Sequence, residues 1–158
     1  PLRASFTSST VDGWTMRWDV FGNRAVGTVI DAPSDYWFLY EGTPGGASDP
    51  SEDTVTRSDG TTTPLSESWS GDLPGEEWVA FRDGASGRAL VVARGEEDSA
   101  VDSYRLMNDE MTVFGFGRRL GSADNLFTSF PIEVSVRLVE TADTNELASL
   151  ASSGVARG

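Results

Sequence analysis

The sequence predicts an all-β protein, built as a two-sheet antiparallel β-sandwich with one short C-terminal helix. Three observations lead to this fold class: most segments alternate apolar and polar residues, turn-forming pairs such as Asp83-Gly84 interrupt them at short intervals, and 17 of the 158 residues are Gly. Alternation with a period of two is typical of strands that bury one face. The length fits a single domain, residues 1–158. A jelly roll is the favoured form and a closed barrel is the alternative, disfavoured because the predicted strands differ in length.

Eight strands are predicted from the apolar pattern. They cover Trp14–Val20, Arg24–Ile30, Tyr36–Tyr40, Glu77–Arg82, Arg88–Arg94, Ser103–Met107, Met111–Gly117 and Ile132–Glu140. The third is apolar on both faces, which predicts a central position in its sheet. In the first, Trp18 lies on a clean apolar stripe and is expected in the core.

Two regions depart from the strand pattern. Residues 42 to about 75 are rich in Gly, Ser, Thr, Asp and Pro, which predicts one long irregular loop. Near the C-terminus, Asp143 and Glu146 are spaced as in a capping box, Leu147 and Ala151 share a face, and Gly154 follows. This spacing predicts the single helix.

The composition excludes several kinds of chemistry. The chain has no His, no Cys and no Lys, and all 12 basic residues are Arg. It therefore has no imidazole base, no thiolate nucleophile and no Schiff-base amine. Zinc and copper sites, which rely on His and Cys, are not expected. The residue types that remain for chemistry are Asp, Glu, Tyr, Arg, Ser and Thr. The composition therefore favours a protein that is not an enzyme.

The net charge of −13 bears on the partners. Phosphate contacts need basic patches, so neither nucleic acid nor an anionic membrane surface is expected to bind. No run of 18 apolar residues is present, so membrane insertion is not expected. A high-GC genome or a saline habitat would also produce this charge. The N-terminal residues carry no secretory signal, and the chain is compatible with a processed protein or with one domain of a longer one.

Acidic residues cluster in two loops, where a structural calcium ion is a candidate. The first cluster lies in the long loop and the second follows the strand that ends at Arg94; the candidate ligands are Asp49, Asp53, Asp59, Glu97 and Asp98. Calcium prefers carboxylate and carbonyl oxygens, which such loops supply. The alternative is that these are solvated acidic turns of an acidic protein.

Aromatic and Arg side chains form the candidate ligand-binding set. An aromatic ring can stack on the apolar face of a sugar while guanidinium groups bind its hydroxyls. The candidates are Trp37, Tyr40, Trp69, Arg82, Arg94, Tyr104 and Arg118. The alternative places most of these rings in the core. Trp69, which lies in a polar stretch, is either a loop anchor or a ligand platform.

Five segments between about Trp37 and Arg118 combine aromatic, acidic and glycine residues in a recognisable way. They are residues 37–46, Glu77–Phe81, Glu97-Asp98, Asp102–Arg105 and Met111–Arg118. Together they resemble uncharacterised bacterial proteins with concanavalin A-like sandwiches that accompany polysaccharide utilisation. The resemblance implies the same fold and an association with polysaccharides. It carries no catalytic residues to this chain.

Three functions are compatible with the sequence. The first is a non-catalytic carbohydrate-binding or accessory domain, extracellular or on the cell surface, whose partner is an oligosaccharide or polysaccharide. The second is a polysaccharide lyase or glycoside hydrolase, with Tyr104 or Tyr40, Arg94 or Arg118 and a carboxylate in one groove. The third is a structural subunit of a surface layer, fibre or virion, acting as a homo-oligomer or beside flanking domains.

Overall fold

A computed structural model describes residues 1–122 and 126–155 and contains two antiparallel sheets and one short helix. The prediction of an all-β sandwich is confirmed. The strands and the helix are β1 Leu2–Ser9, β2 Thr15–Phe21, β3 Ala25–Asp31, β4 Phe38–Gly42, β5 Thr54–Arg57, β6 Thr62–Pro64, β7 Trp69–Gly71, β8 Trp78–Arg82, β9 Ala89–Arg94, β10 Asp102–Met107, β11 Met111–Phe116, β12 Ile132–Val139 and α1 Thr144–Ser152.

The two sheets are open and unequal in width. The larger has eight strands in the order β1-β2-β3-β12-β9-β8-β5-β6, and the smaller has four in the order β4-β11-β10-β7. β12 pairs with both β3 and β9, which brings the chain's last strand to the centre of the larger sheet. Four strands cannot cover eight, so the larger sheet extends beyond the smaller one.

The core lies where the two sheets face each other. Phe81 of β8 meets Tyr104 of β10 and Phe114 of β11, at ring-centroid distances of 5.6 and 6.0 Å. Phe114 also contacts Phe116 edge to face at 4.7 Å. Burying one such ring removes about 150–250 Å² from water, which stabilises the fold by roughly 4–6 kcal/mol as an upper bound.

The helix covers the outer face of the larger sheet. Its Leu147 and Ala151 are buried against a cluster that contains Trp78 of β8 and Val91 of β9. Asp143 accepts a hydrogen bond from the Glu146 N–H at 2.9 Å, so the predicted N-cap is confirmed. Arg137, on the polar face of β12, is buried and donates to the Leu150 carbonyl at 3.2 Å.

Two predictions about the elements were wrong, and the first strand was not predicted. The region 42–75 is not one irregular loop, because the short strands β5, β6 and β7 lie within it. The run at Tyr36–Tyr40 is not central: β4 is an edge strand, and Leu39 is 36% exposed. The second apolar face of β4 borders a groove and does not pack against another layer of the structure. β1 was not predicted, and all eight of its residues are exposed.

Candidate functional site

A groove lies where the larger sheet extends past the edge of the smaller one. Met16 and Trp18 of β2 and Val29 of β3 line it on the larger sheet, and residues 38–41 of β4 line it on the smaller sheet. The cavity has a volume of about 440 Å³. Because it arises from the difference in width between the sheets, it is a feature of the architecture and not of a single loop.

Trp18 lies against the backbone of β3 in this groove. It pairs in register with Gly27, and a Cβ at that glycine would lie 3.1 Å from the Trp18 ring and 2.7 Å from Met16 Cε. The first distance is tighter than most real Cβ contacts, and the second would require the flexible end of Met16 to move. The missing side chain at Gly27 therefore makes the room in which the indole and the thioether lie.

Aromatic rings continue past the end of the groove. Trp14 contacts Tyr36 edge to face at 5.5 Å, and Tyr36 stacks on Phe130 at 5.6 Å. A second cavity of about 350 Å³ is lined by Trp14, Tyr36 and Trp37, which also line the groove, together with Ser34 and Asp35. The two cavities thus form one elongated surface that carries both rings and polar groups.

Several of the groove rings are half-buried. Trp14, Trp18, Trp37 and Tyr40 all have intermediate exposure. Tyr40 rests on Phe81 at 5.5 Å between ring centroids, and the Arg118 guanidinium lies 5.8 Å from the Trp37 ring. A ring that is fixed by packing and still partly open loses little conformational entropy when a ligand stacks on it.

The two tyrosine hydroxyls of the groove stay protonated at neutral pH. Burial raises the pKa of Tyr36 to about 12, although the charge of Arg94 lowers it in part. Burial also raises the pKa of Tyr40, against a smaller lowering by its hydrogen bond with Thr112. The Tyr36 side chain is buried and its hydroxyl donates to the Ser129 carbonyl at 3.5 Å, and neither hydroxyl is prepared to act as a base.

Three of the seven predicted ligand-binding residues lie at the groove. Trp37 and Tyr40 line it, and Arg118 contacts Trp37. Trp69 lies in the edge strand at the opposite side of the smaller sheet, where it packs on Phe114 at 6.0 Å. Arg82, at the end of β8, is partly buried.

Tyr104 and Arg94 are buried, which is not the open position expected of a ligand contact. Tyr104 is 0% exposed, and its hydroxyl donates to the Leu65 carbonyl at 2.5 Å. Arg94 is 6% exposed and pairs with Glu77 at 3.2 Å and with Asp98. Its guanidinium also lies 4.6 Å from the Phe127 ring. Both residues hold the interior together.

A cluster of buried carboxyl groups surrounds Arg94. Glu77 is 0% exposed and Asp102 is 1% exposed. Burial raises the pKa of Glu77 to about 8, and the charge of Asp102 adds to this effect. Burial likewise raises the pKa of Asp102 to about 7, while the N–H groups of Gly117 and Leu73 lower it in part. Ionising either buried carboxyl group costs free energy, and the surrounding protein offsets only part of that cost.

The predicted calcium ligands of the long loop accept hydrogen bonds from other groups of the protein. Asp53 is buried and accepts hydrogen bonds from the N–H groups of Asp49 and Gly84, at 2.7 and 2.9 Å. Asp49 itself accepts from Ser51, and these hydrogen bonds lower its pKa. Asp59 accepts from the Thr61 N–H at 2.8 Å.

The two other predicted ligands lie elsewhere. Glu97 is exposed, and Asp98 pairs with Arg94. Across residues 1–122 and 126–155, no three of the five predicted ligands bring carboxylate oxygens close enough to share one ion. The carboxylates that do come together are Asp72, Glu77 and Asp102.

The sequence pattern identified neither the groove residues Trp14 and Trp18 nor the buried carboxyl groups of Glu77 and Asp102. Trp14 and Trp18 share one face of a strand, and that signal was attributed to the core because the pattern does not show where the opposing sheet ends. Glu77 and Asp102 stand at the starts of apolar strands, where a charged residue is unusual inside a fold. That position is the signal that could have identified them.

Comparison with family models, with curated proteins and with solved structures finds no match to this chain. Among the described residues, no helix is long and apolar enough to cross a membrane.

Proposed function

We propose that this protein is a non-catalytic carbohydrate-binding domain and that the groove beside β4 is its glycan site. The observation that carries the proposal is the set of half-buried rings, Trp14, Trp18, Trp37 and Tyr40, along one open groove. Its volume of about 440 Å³ lies within the range of about 300–1,000 Å³ typical of small-molecule sites.

The glycan is neutral in this proposal. Glu41 lines the groove, so carboxylate oxygens are at hand to accept hydrogen bonds from sugar hydroxyls, and Asp35 adds negative charge at the adjoining cavity. The same carboxylates, in a protein with a net charge of −13, repel an anionic polysaccharide. Arg118 lies against Trp37 at the groove and supplies donors.

The residues at hand favour binding over catalysis. A lyase would need a tyrosine that gives up its proton readily, and burial moves the pKa of Tyr40 in the opposite direction. The carboxyl groups with raised pKa values, Glu77 and Asp102, are enclosed by protein and out of reach of a polymer. An extracellular or cell-surface location is part of the proposal, since a polysaccharide partner lies there.

Affinity electrophoresis through gels that contain neutral glucans, mannans or xylans tests this function. We expect the wild-type protein to be retarded by at least one of them. Trp18→Ala and Trp37→Ala should each weaken binding about tenfold, because each removes one stacking surface. Trp69→Phe is the matched control: it also removes an indole, but at the far edge of the smaller sheet, so binding should not change.

Two results would refute the glycan-binding function. One is migration unchanged by every polysaccharide in the panel. The other is retardation that survives in both groove variants while their thermal unfolding shows that they are folded.

A second candidate is assembly through the edge of the larger sheet. All eight residues of β1 are exposed, and they include Leu2 at 51% and Phe6 at 55%. A long edge strand with apolar residues is a template for pairing with another strand. Light scattering at high protein and salt concentration would show oligomers in wild-type protein and monomers in Phe6→Glu. Monomers in both would remove this candidate.

A further inference from the structure

Three carboxylates from separate segments meet at one end of the sandwich. Asp72 follows β7, Glu77 precedes β8 and Asp102 begins β10. Gly71 pairs with Asp102 across β7 and β10, and the Arg94 N–H donates to the Glu77 carbonyl at 2.8 Å. One ligand oxygen from each carboxylate lies within 4.8 Å of the other two. We propose that Asp72, Glu77 and Asp102 bind a divalent cation, with calcium as the ion that fits best.

An unpartnered oxygen gives independent support. Asp102 is 1% exposed, and its Oδ1 accepts a hydrogen bond from the Gly117 N–H at 2.9 Å. Its Oδ2 is buried and accepts no hydrogen bond of normal geometry from the described residues. The Leu73 N–H lowers the pKa of Asp102 without forming such a hydrogen bond, so this oxygen loses its hydration and recovers only part of the lost free energy. A cation beside Asp102 would supply the missing partner.

The excess of negative charge at this cluster also favours a bound cation. The carboxyl groups of Asp72, Glu77 and Asp102 come together, and the Arg94 guanidinium beside Glu77 brings one positive charge to them. Arg94 is engaged by Glu77 and by Asp98. Among the residues that the structure describes, neither Asp72 nor Asp102 forms a salt bridge. One divalent ion would offset two of the negative charges in this region.

The donor set favours a hard divalent ion, with calcium before magnesium. All three donors are carboxylate oxygens, which suit hard cations and not zinc or copper. One oxygen from each carboxylate lies within 4.8 Å of the other two, so the three can share one ion. Calcium accepts irregular coordination by protein oxygens, whereas magnesium requires a regular octahedron and usually keeps several waters. Two of these three carboxylates are buried, which suits the ion that gives up its water more readily.

A cation at this position would connect the two sheets. Asp72 and Asp102 belong to the smaller sheet's end of the site, and Glu77 leads into β8 of the larger sheet. Asp72 is exposed, which leaves a path from solvent, whereas the other two ligands are buried. The site therefore fits an ion that stabilises the fold and not one that handles a substrate.

Thermal unfolding of the full chain, first freed of divalent ions and then titrated with CaCl₂, tests the proposal. At about 100 times the dissociation constant we expect the Tm to rise by about 5–10 °C. Terbium luminescence, excited through the aromatic rings and displaced by CaCl₂, gives the affinity directly. Asp72→Asn and Asp102→Asn should each weaken calcium binding at least tenfold.

Glu110→Gln is the control for simple loss of charge. Glu110 is exposed in the turn after β10, at the other end of that strand from Asp102, so its replacement should leave the calcium affinity unchanged. The proposal fails if about 10 mM CaCl₂ moves neither the Tm nor the terbium signal, since protein calcium sites bind at least this tightly. It also fails if Asp72→Asn, a surface change that the fold tolerates, binds calcium as tightly as Glu110→Gln does.

Discussion

Glu77 and Asp102 are unusual because they are carboxyl groups that are almost completely buried. Arg94 pairs with Glu77 at 3.2 Å and shares its charge with Asp98, so it cannot neutralise the whole cluster. Burial raises the pKa values of Glu77 and Asp102, and the charge of Arg94 offsets this effect only in part. In the absence of a bound cation, the folded protein holds protons on these groups more tightly than the unfolded chain does.

The stability of the cation-free protein should therefore fall as pH rises. The pKa of Glu77 moves from 4.5 in the unfolded chain to about 8 in the folded protein, and that of Asp102 from 3.8 to about 7. Between about pH 4 and pH 8 the folded state binds more protons than the unfolded chain. Below this window both groups are protonated and cost no stability, and above it both are ionised and the loss of stability is greatest. Urea unfolding at pH 5 and pH 8, without divalent ions, measures the difference.

Asp102→Asn provides the comparison for this pH effect. The variant removes one of the two titrating groups, so it should lose less stability than wild type between pH 5 and pH 8. An equal or larger loss in Asp102→Asn would show that the buried carboxyl groups do not control the pH dependence.

At the residue scale, sequence patterns identify which face a side chain takes but not what covers that face. Trp18 was expected in the core, and it lines the groove. Tyr104 and Arg94 were expected at a ligand, and both are buried. Burial of each depends on segments far away in the chain, such as Leu65 and Phe127, and no local pattern contains that information.

At the scale of elements, the groove depends on how β2 and β3 pair. Trp18 lies against Gly27 because the two residues face each other across that pair of strands. A branched side chain at Gly27 would occupy the position of the indole and of the Met16 thioether. The ring would then be lifted away from the sheet into the groove.

Gly27→Val should therefore weaken glycan binding about tenfold or more without unfolding the protein, as gel retardation and thermal unfolding would show. Gly71→Val is the matched control, because Gly71 is also a strand glycine and a Cβ there would meet nothing within 4 Å. If Gly27→Val bound the glycan like wild type, the groove would not be the site.

The eight predicted strands were all found, with no end shifted by more than two residues, and the N-cap of α1 was predicted correctly. The strands that were missed have physical reasons. β5, β6 and β7 have only four, three and three residues, too few to display an alternation. β1 buries neither face, so its Leu2 and Phe6 gave no amphipathic signal to interpret.

At the scale of the whole molecule, the two proposed sites are joined by packed rings. The Arg94 guanidinium lies over Phe127, Phe127 contacts Tyr36 at 5.6 Å, and Tyr36 contacts Trp14 at 5.5 Å. The carboxyl cluster thus supports the far end of the groove. The sequence predicted the fold class. It did not predict the unequal widths of the two sheets, which create the groove. These widths arise from long-range strand pairing, which composition and periodicity do not encode.

The central claim is that a neutral glycan binds along the half-buried rings beside β4. The most direct measurement is a titration of ¹⁵N-labelled protein with a soluble oligosaccharide of the polysaccharide that retards it, observed at the five tryptophan indole N–H signals. We predict that the signals of Trp14, Trp18 and Trp37 shift together, while those of Trp69 and Trp78 stay in place. Shifts confined to Trp69 and Trp78, or no shift of any indole signal at saturating oligosaccharide, would contradict the claim.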